Sequence, residues 1–165
     1  MRIRSNTTDF SKEFLHEVFD FCKPCGVKST KVDLYVGNTK NFRCGHMEHK
    51  SFVWDSNRIV LYILKADDNR INFPHACYRT SQQVKRGYLS LLVLDRIETL
   101  VEIMAHELRH IYQEQRKHKI KCHGKRRQKF SERDADMYAQ RKIREWRKLH
   151  YRDAIDLGRC CNEYL

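Results

Sequence analysis

The sequence predicts one α+β domain spanning residues 1–165, in which a small, mostly antiparallel sheet packs on two long helices. Between Ile97 and Ile111 apolar residues recur every three or four positions, which is typical of a helix with one buried side. Residues 58–64 read R-I-V-L-Y-I-L, an apolar, β-branched run typical of a strand packed against helices. With 165 residues, 41% of them hydrophobic, the chain is large enough for a real core and too apolar to stay disordered.

The N-terminal part of the chain is predicted to form a helix over residues 8–22. Its apolar residues share one stripe, and Pro24 and Gly26 follow where the pattern stops, which is typical of a helix end. The core of the domain is then predicted to cover residues 31–150.

Three short strands are predicted before the long helix, because β-branched and aromatic residues cluster there between turn-forming residues. They cover residues 31–36, 51–54 and 58–64. A tight turn at residues 55–57 joins the last two. Residues 67–81 are predicted to be a polar connection, and residues 87–94 fit both a strand and the start of the next helix.

The long helix is predicted to start at Asp95, because Asp95 followed by Glu98 resembles a capping box. A further helix is predicted over residues 131–149, since S-E-R-D at its start fits the S-x-x-D capping pattern. A last short helix is predicted over residues 152–158. The core-facing stripe of the long helix consists of Ile97, Leu100, Val101, Met104, Leu108 and Ile111.

Composition and the cysteine pattern limit the classes of protein. No apolar run approaches the roughly 20 residues of a membrane span, and the N-terminus lacks the apolar segment of a secretory signal, so we expect an intracellular protein without a membrane partner. The seven cysteines lack the spacing of a disulfide framework, which favours thiols or metal ligands. Two of them begin a C-x-x-C-G knuckle, but the second half of a zinc knuckle is incomplete, so thiols are favoured over a second, structural zinc site. The residues of that disfavoured site are Cys22, Cys25, Cys44 and His46.

The net charge of +12 is concentrated in residues 117–129, K-H-K-I-K-C-H-G-K-R-R-Q-K. This run holds seven Lys and Arg residues and no acid, and such a patch attracts polyanions, chiefly nucleic acid. A solvated loop that only aids solubility fits the same run. The residues predicted to contact nucleic acid or an acidic partner are Lys121, Lys125, Arg126, Arg127 and Lys129, with Arg141, Arg144 and Lys148 on the following helix.

The long helix contains His106-Glu107-Leu108-Arg109-His110, an H-E-x-x-H pattern. Residues four apart lie on one face of a helix, so His106 and His110 can offer imidazole nitrogens to a single Zn²⁺. Glu107 lies about 100° round the helix from His106 and can reach a metal-bound water without binding the metal. Water activated in this way hydrolyses amide bonds. The alternative interpretation is a surface helix with two solvated histidines.

A catalytic zinc usually has three protein ligands and a water. The next helix begins S-E-R-D-A-D-M-Y-A, in which Glu132 and Asp136 are four residues apart and share a face. The 21 residues between His110 and Glu132 are enough for an antiparallel return of the chain. Alternatively, the acids of this first turn only complement the helix dipole.

Together these motifs resemble the gluzincin metallopeptidases, in which H-E-x-x-H is followed by a helix bearing E-x-x-x-D. The run E-R-D-A-D-M-Y-A is similar to the E-x-x-A-[N/D]-x-[F/Y]-A pattern of the small ImmA/IrrE-type metallopeptidases, and H-E-L-R-H-I-Y-Q resembles SprT-like and phage-encoded minimal gluzincins. The resemblance covers about residues 58–139 and implies a zincin-like fold; it also admits a virus- or phage-encoded source. It implies that zinc is bound by His106, His110 and Glu132, that Glu107 is the general base, and that Asp136 orients His106.

The resemblance leaves alternatives for two roles. A SprT-like relationship would imply a histidine as the third ligand, for which His118 and His123 are candidates. Gluzincins often use a downstream His or Tyr to stabilise the oxyanion, and no spacing selects among Tyr112, Tyr138, His150 and Tyr151.

The function expected from the motifs and the resemblance is zinc-dependent hydrolysis of a peptide bond by an intracellular endopeptidase, with a protein or peptide as substrate. The strand at residues 58–64 is predicted to flank the cleft and pair with an extended substrate. The alternative is a nucleic-acid-associated basic protein on a zincin scaffold, either a DNA-linked protease or a protein without turnover.

Overall fold

A computed structural model of the chain describes residues 2–5, 9–28, 31–37, 50–55, 58–64, 75–77, 91–116 and 132–150. These ranges contain three helices and six strands and have a mixed α+β character. The strands are β1 (Arg2–Ser5), β2 (Lys31–Gly37), β3 (Lys50–Asp55), β4 (Arg58–Leu64), β5 (His75–Cys77) and β6 (Leu91–Val93). The helices are α1 (Lys12–Cys22), α2 (Arg96–Gln115) and α3 (Glu132–His150).

Four strands form a sheet in the order β1-β2-β4-β3, in which only the β3–β4 pair is antiparallel. The prediction of a mostly antiparallel sheet is therefore wrong for this sheet. The parallel β1–β2 pair has a simple cause, because α1 connects the two strands, and a helical crossover returns the second strand parallel to the first. The short strands β5 and β6 form a separate antiparallel pair.

The predicted strands β2, β3 and β4 are confirmed to within one residue at each end. The polar connection predicted at residues 67–81 is wrong where it contains β5, because three residues are too few to show a strand periodicity. The ambiguous residues 87–94 include β6, which ends before the helix starts. The turn at residues 56–57, the cap at residue 131 and the helix at residues 152–158 lie outside the described residues.

Helix α1 starts later than predicted, because the hydroxyl of Ser11 accepts a hydrogen bond from the backbone N–H of Phe14 at 3.1 Å and caps the first turn. Its predicted end at Cys22 is confirmed. The buried thiol of Cys22 donates to the carbonyl oxygen of Val101 at 3.5 Å, which joins the end of α1 to the middle of α2.

Helix α2 is the centre of the described structure and packs against α1, α3, β3 and β4. Its predicted cap is confirmed, since the Asp95 carboxylate accepts from the backbone N–H of Glu98 at 2.7 Å. Of the predicted stripe, Ile97 is half-buried, while the other five residues are fully buried. Because α3 covers another side of the helix, several of its polar residues are buried as well, among them Glu102, Glu107, His110 and Gln113. The interpretation of α2 as a surface helix is therefore wrong.

Helix α3 returns antiparallel to α2, as the spacing predicted. Near its C-terminal end the Arg147 guanidinium donates two hydrogen bonds of 2.7 Å to the fully buried carboxylate of Glu98, close to the start of α2. Nearer its N-terminus the Tyr138 hydroxyl donates to the carbonyl of Cys22 at 2.8 Å. These contacts fix the position of α3 and so decide where its first turns present their carboxylates.

Candidate metal centre

Three donor atoms from two helices converge at the predicted site. The Nε2 atoms of His106 and His110 lie 3.1 Å apart, and Oε2 of Glu132 lies 3.4 Å from each of them. Ligand atoms that lie about 2.0–2.1 Å from a tetrahedral Zn²⁺ are separated by roughly 3.3–3.4 Å. The observed spacing therefore fits one small divalent cation, and the two histidines are mostly buried rather than solvated.

Carboxylates surround His106. Oδ1 of the buried Asp136 lies 3.0 Å from its Nδ1, on the side of the ring opposite Glu132. Glu102, one helical turn before His106, is also buried, and its carboxylate lies within 4.8 Å of the donor atoms of His106 and Asp136. Burial alone would lower the pKa of His106, but its contacts with Asp136 and Glu132 and the charges of Glu107 and Glu102 raise it to about 10.

The pKa of Glu132 shifts in the opposite direction to that of His106. Its partial burial would raise the pKa of its carboxyl, but its contacts with His106 and His110 hold that pKa well below the usual range. In the metal-free protein the site therefore holds a proton on His106 beside an ionised Glu132. A metal ion has to displace that proton, because only a neutral imidazole can bind it.

The affinity for zinc is expected to rise about tenfold per pH unit between about pH 7 and pH 9, because one proton leaves His106 for each ion bound. The sign follows from the raised pKa, since below about 10 His106 is protonated and each unit of acidification increases competition. A chelator-competition titration at several pH values measures the slope. Asp136→Asn weakens the contact that raises this pKa and should flatten the slope. Equal slopes in the wild type and the variant would contradict the contribution of Asp136 to the pKa of His106.

Asp136→Ala is expected to weaken zinc binding by about 10–100-fold, as the loss of a partner of a ligating histidine typically does. The titration is best made near pH 9, where protons compete least. Met137→Ala changes the neighbouring side chain, which is 56% exposed, and should leave the affinity unchanged. Equal affinities in both variants would mean that Asp136 only packs against α2.

The carboxyl of Glu107 is buried, and its charge is one of those that raise the pKa of His106. The predicted base is therefore held beside the site in a mostly dry environment, where it acts on His106 through its charge.

The second histidine has a set of partners that the sequence did not indicate. Nδ1 of His110 lies 2.9 Å from Oε1 of Gln113, and the Gln113 amide nitrogen donates to Asp134 at 2.8 Å. Asp134 also accepts two hydrogen bonds from Arg109. Burial would raise the pKa of Asp134, but its bonds with Arg109 and Gln113 lower it, so the carboxylate stays ionised.

None of the predicted oxyanion residues in the described ranges reaches the donor atoms. Tyr138 uses its hydroxyl on a carbonyl of α1. His150 stacks on Trp146 with ring centroids 3.9 Å apart, about 27 Å along α3 from Glu132 at the rise of an α-helix. Tyr112 points roughly 200° round α2 from His110. These three candidates face other parts of the described fold, which favours none of them as the oxyanion residue.

Several predicted residues lie outside the described residues and stay predictions. They are the alternative ligands His118 and His123, the oxyanion candidate Tyr151, two members of the disfavoured second site, Cys44 and His46, and the basic residues Lys121, Lys125, Arg126, Arg127 and Lys129. Of the other members of the second site, Cys22 is buried in the core and Cys25 is exposed.

Comparison with known proteins does not identify a family, because no protein-family model, no curated protein and no solved structure matches the chain. Within the described residues no helix is both long enough and apolar enough to cross a membrane.

Proposed function

We propose that the chain is a zinc-dependent peptidase of the minimal gluzincin type. The observation that carries the proposal is the convergence of three donor atoms, 3.1–3.4 Å apart, from the H-E-x-x-H helix and from the first turn of α3. His106, His110 and Glu132 would hold the ion, and Asp136 would orient His106. A bound zinc ion supplies a water of lowered pKa and polarises the scissile carbonyl.

Glu107 supports an enzymatic role over a structural one. Three protein ligands leave the fourth position of a tetrahedral zinc for water or substrate, whereas structural zinc sites usually fill all four. A structural site also has no need for a buried carboxylate beside the ligands, such as that of Glu107. In the proposed reaction the carboxylate of Glu107 takes the proton of the attacking water and passes it to the leaving amine.

The strand order of the sheet changes which strand could pair with a peptide substrate. Strand β4, predicted to pair with an extended substrate, is paired with β2 on one side and β3 on the other, so that prediction is wrong. Strand β3 is one of the two edge strands of this sheet in the described residues, and it packs against α2. A peptide adding to this edge would extend the sheet by backbone hydrogen bonds.

The proposal is tested by incubating the zinc-loaded and the metal-free protein with a diverse peptide library and sequencing the products by mass spectrometry. Cleavage that needs zinc and is lost on chelation supports the peptidase. A protein that binds one zinc per chain and leaves every peptide intact would contradict turnover.

The exposed face of α3 supports a second function, binding of nucleic acid. Between residues 132 and 150 the exposed residues include Arg133, Arg141, Arg144 and Lys148, whereas the acids of this helix are buried or partly exposed. Glu145, whose side chain is 43% exposed, pairs with Lys142 at 2.9 Å and with Arg141 of this face at 3.7 Å, so it offsets part of the positive charge. The basic run at residues 117–129 precedes this helix in the sequence and would add to the same field.

Replacing Arg141, Arg144 and Lys148 with alanine is expected to lower the slope of log affinity against log salt on duplex DNA by about 2–3 units. Each residue that contacts a phosphate releases counterions worth about 0.9 of slope. A filter-binding series from low to physiological salt measures it. The matched control replaces the exposed residues Lys12, Lys28 and Lys31, which removes the same charge elsewhere. Equal slopes for wild type and the α3 variant would exclude phosphate contacts by this face.

A further inference from the structure

Four side chains form a continuous hydrogen-bonded chain from one proposed ligand to the helix that carries another. Nδ1 of His110 lies 2.9 Å from Oε1 of Gln113, whose Nε2 lies 2.8 Å from Oδ2 of Asp134. The guanidinium of Arg109 reaches the same carboxylate with Nε at 2.7 Å from Oδ2 and Nη2 at 3.0 Å from Oδ1. Three of these residues are on α2, and Asp134 is on α3, two residues after the proposed ligand Glu132.

The donors and acceptors of these four side chains fit together in one way only. The guanidinium of Arg109 can only donate, so Asp134 is the acceptor for both of its N–H groups. The ionised Asp134 can only accept, so Gln113 must turn its amide NH₂ toward it and its carbonyl oxygen toward His110. The carbonyl oxygen can only accept, which requires Nδ1 of His110 to carry the hydrogen. In the neutral imidazole, Nε2 is then left with its lone pair.

That lone pair is on the nitrogen that faces the other donor atoms. Nε2 of His110 lies 3.1 Å from Nε2 of His106 and 3.4 Å from Oε2 of Glu132. A histidine binds a metal through the nitrogen that carries no hydrogen, and the partner of the other nitrogen decides which one that is. His110 and Gln113 are both at least 90% buried, so no bulk water replaces this partner.

Two aromatic rings hold Arg109, the charged end of this series of hydrogen bonds, in place. The guanidinium carbon of Arg109 lies 4.5 Å from the ring centroid of Tyr112 on α2 and 5.3 Å from that of Tyr138 on α3. Such contacts favour a fixed guanidinium plane. Arg109 therefore orients Asp134 and, through it, the amide of Gln113.

We propose that Gln113 is a positioning residue for the metal centre, which fixes the tautomer and ring orientation of His110, and that Asp134 and Arg109 set the orientation of its amide. The inference rests on the metal-ligand role of His110 proposed above. It adds a partner for the second histidine to the one that the resemblance implied for the first.

The alternative is that the same contacts only clamp α3 to α2. A charge-conserving exchange separates the two roles. Gln113→Leu keeps the size of the side chain but accepts nothing, so the affinity for Zn²⁺ should fall by about 10–100-fold. In the double variant Gln113→Glu/Asp134→Asn, the new carboxylate at position 113 accepts from His110, and the new amide at position 134 donates to it. The amide oxygen at position 134 keeps the bond from Nη2 of Arg109, while the bond from Nε of Arg109 to the replaced oxygen is lost. The double variant should therefore bind Zn²⁺ more tightly than Gln113→Leu, and more tightly than Gln113→Glu alone, in which two carboxylates oppose each other.

The tautomer itself can be read in the metal-free protein by long-range ¹H–¹⁵N correlation spectra of His110. The wild type and the double variant should show hydrogen on Nδ1, and Gln113→Leu should show a mixture or the other tautomer. Gln115→Leu removes an amide of the same helix that instead accepts from the backbone of Lys28 at 2.8 Å, and it should change neither readout. Hydrogen on Nε2 in the wild type, or a double variant as weak as Gln113→Leu, would overturn the inference. A protein that hydrolyses no peptide but gives the expected tautomers would contradict the proposed function alone.

Discussion

Glu107→Gln is expected to lower zinc-dependent peptide hydrolysis by about 10²–10⁴-fold, which is the usual contribution of a general base. Glutamine has nearly the shape of glutamate but cannot take a proton from water. The substitution removes one charge from a site that holds several carboxylates, so the fold and the bound zinc should both persist. Initial rates on a peptide cleaved by the wild type, together with zinc content and a thermal melt, measure all three properties.

A second variant separates the base from a packing role. Glu107→Asp keeps a carboxylate but withdraws it by one methylene group, so it should retain part of the activity that Glu107→Gln loses. Residual hydrolysis by Glu107→Gln above about 1% of the wild-type rate would be too high for the loss of a general base. Equal losses in both variants, with zinc lost as well, would point to a structural role for Glu107.

The sequence predicts helix α2 well because several local rules agree there. The Asp95–Glu98 cap, the apolar stripe and the four-residue spacing of the histidines depend only on the geometry of a single helix. The pair Glu132 and Asp136 follows the same rule on α3, and both reach His106 in the structure, at 3.4 and 3.0 Å.

What the sequence did not predict depends on contacts between elements. The parallel pairing of β1 requires knowing that a four-residue N-terminal segment adds to the sheet formed by β2, β3 and β4. The roles of Gln113 and Asp134 are decided by the approach of α3 to α2, and Gln113 is one of several glutamines in the chain. A usable signal did exist for Glu102 and Gln113, because they lie four residues before His106 and three after His110, on the same face of the helix.

The charges around His106 support the proposal of a bound divalent cation. Four acids raise the pKa of His106, and the imidazole therefore lies at the centre of a mostly buried acidic group. These acids are Asp136, Glu132, Glu107 and Glu102. Buried charges are costly unless they are paired. A dication bound at the three donor atoms would bring more positive charge to this group than the proton on His106 and is expected to stabilise the folded chain.

One zinc per chain is expected to bind tightly and to raise the melting temperature. At a free zinc concentration about 100 times Kd, a ligand that binds only the folded state adds about 2.7 kcal/mol, which for a domain of this size corresponds to a rise in Tm of roughly 5–11 °C. His106→Ala and Glu132→Ala should show neither bound zinc by elemental analysis nor a zinc-dependent rise in Tm. His118→Ala and His123→Ala are the matched controls, since each removes one histidine from outside the proposed ligand set, and both should behave as the wild type. If Glu132→Ala kept its zinc and one of these histidine variants lost it, the third ligand would be that histidine, and the convergence of Glu132 on the two imidazoles would be an ion pair only.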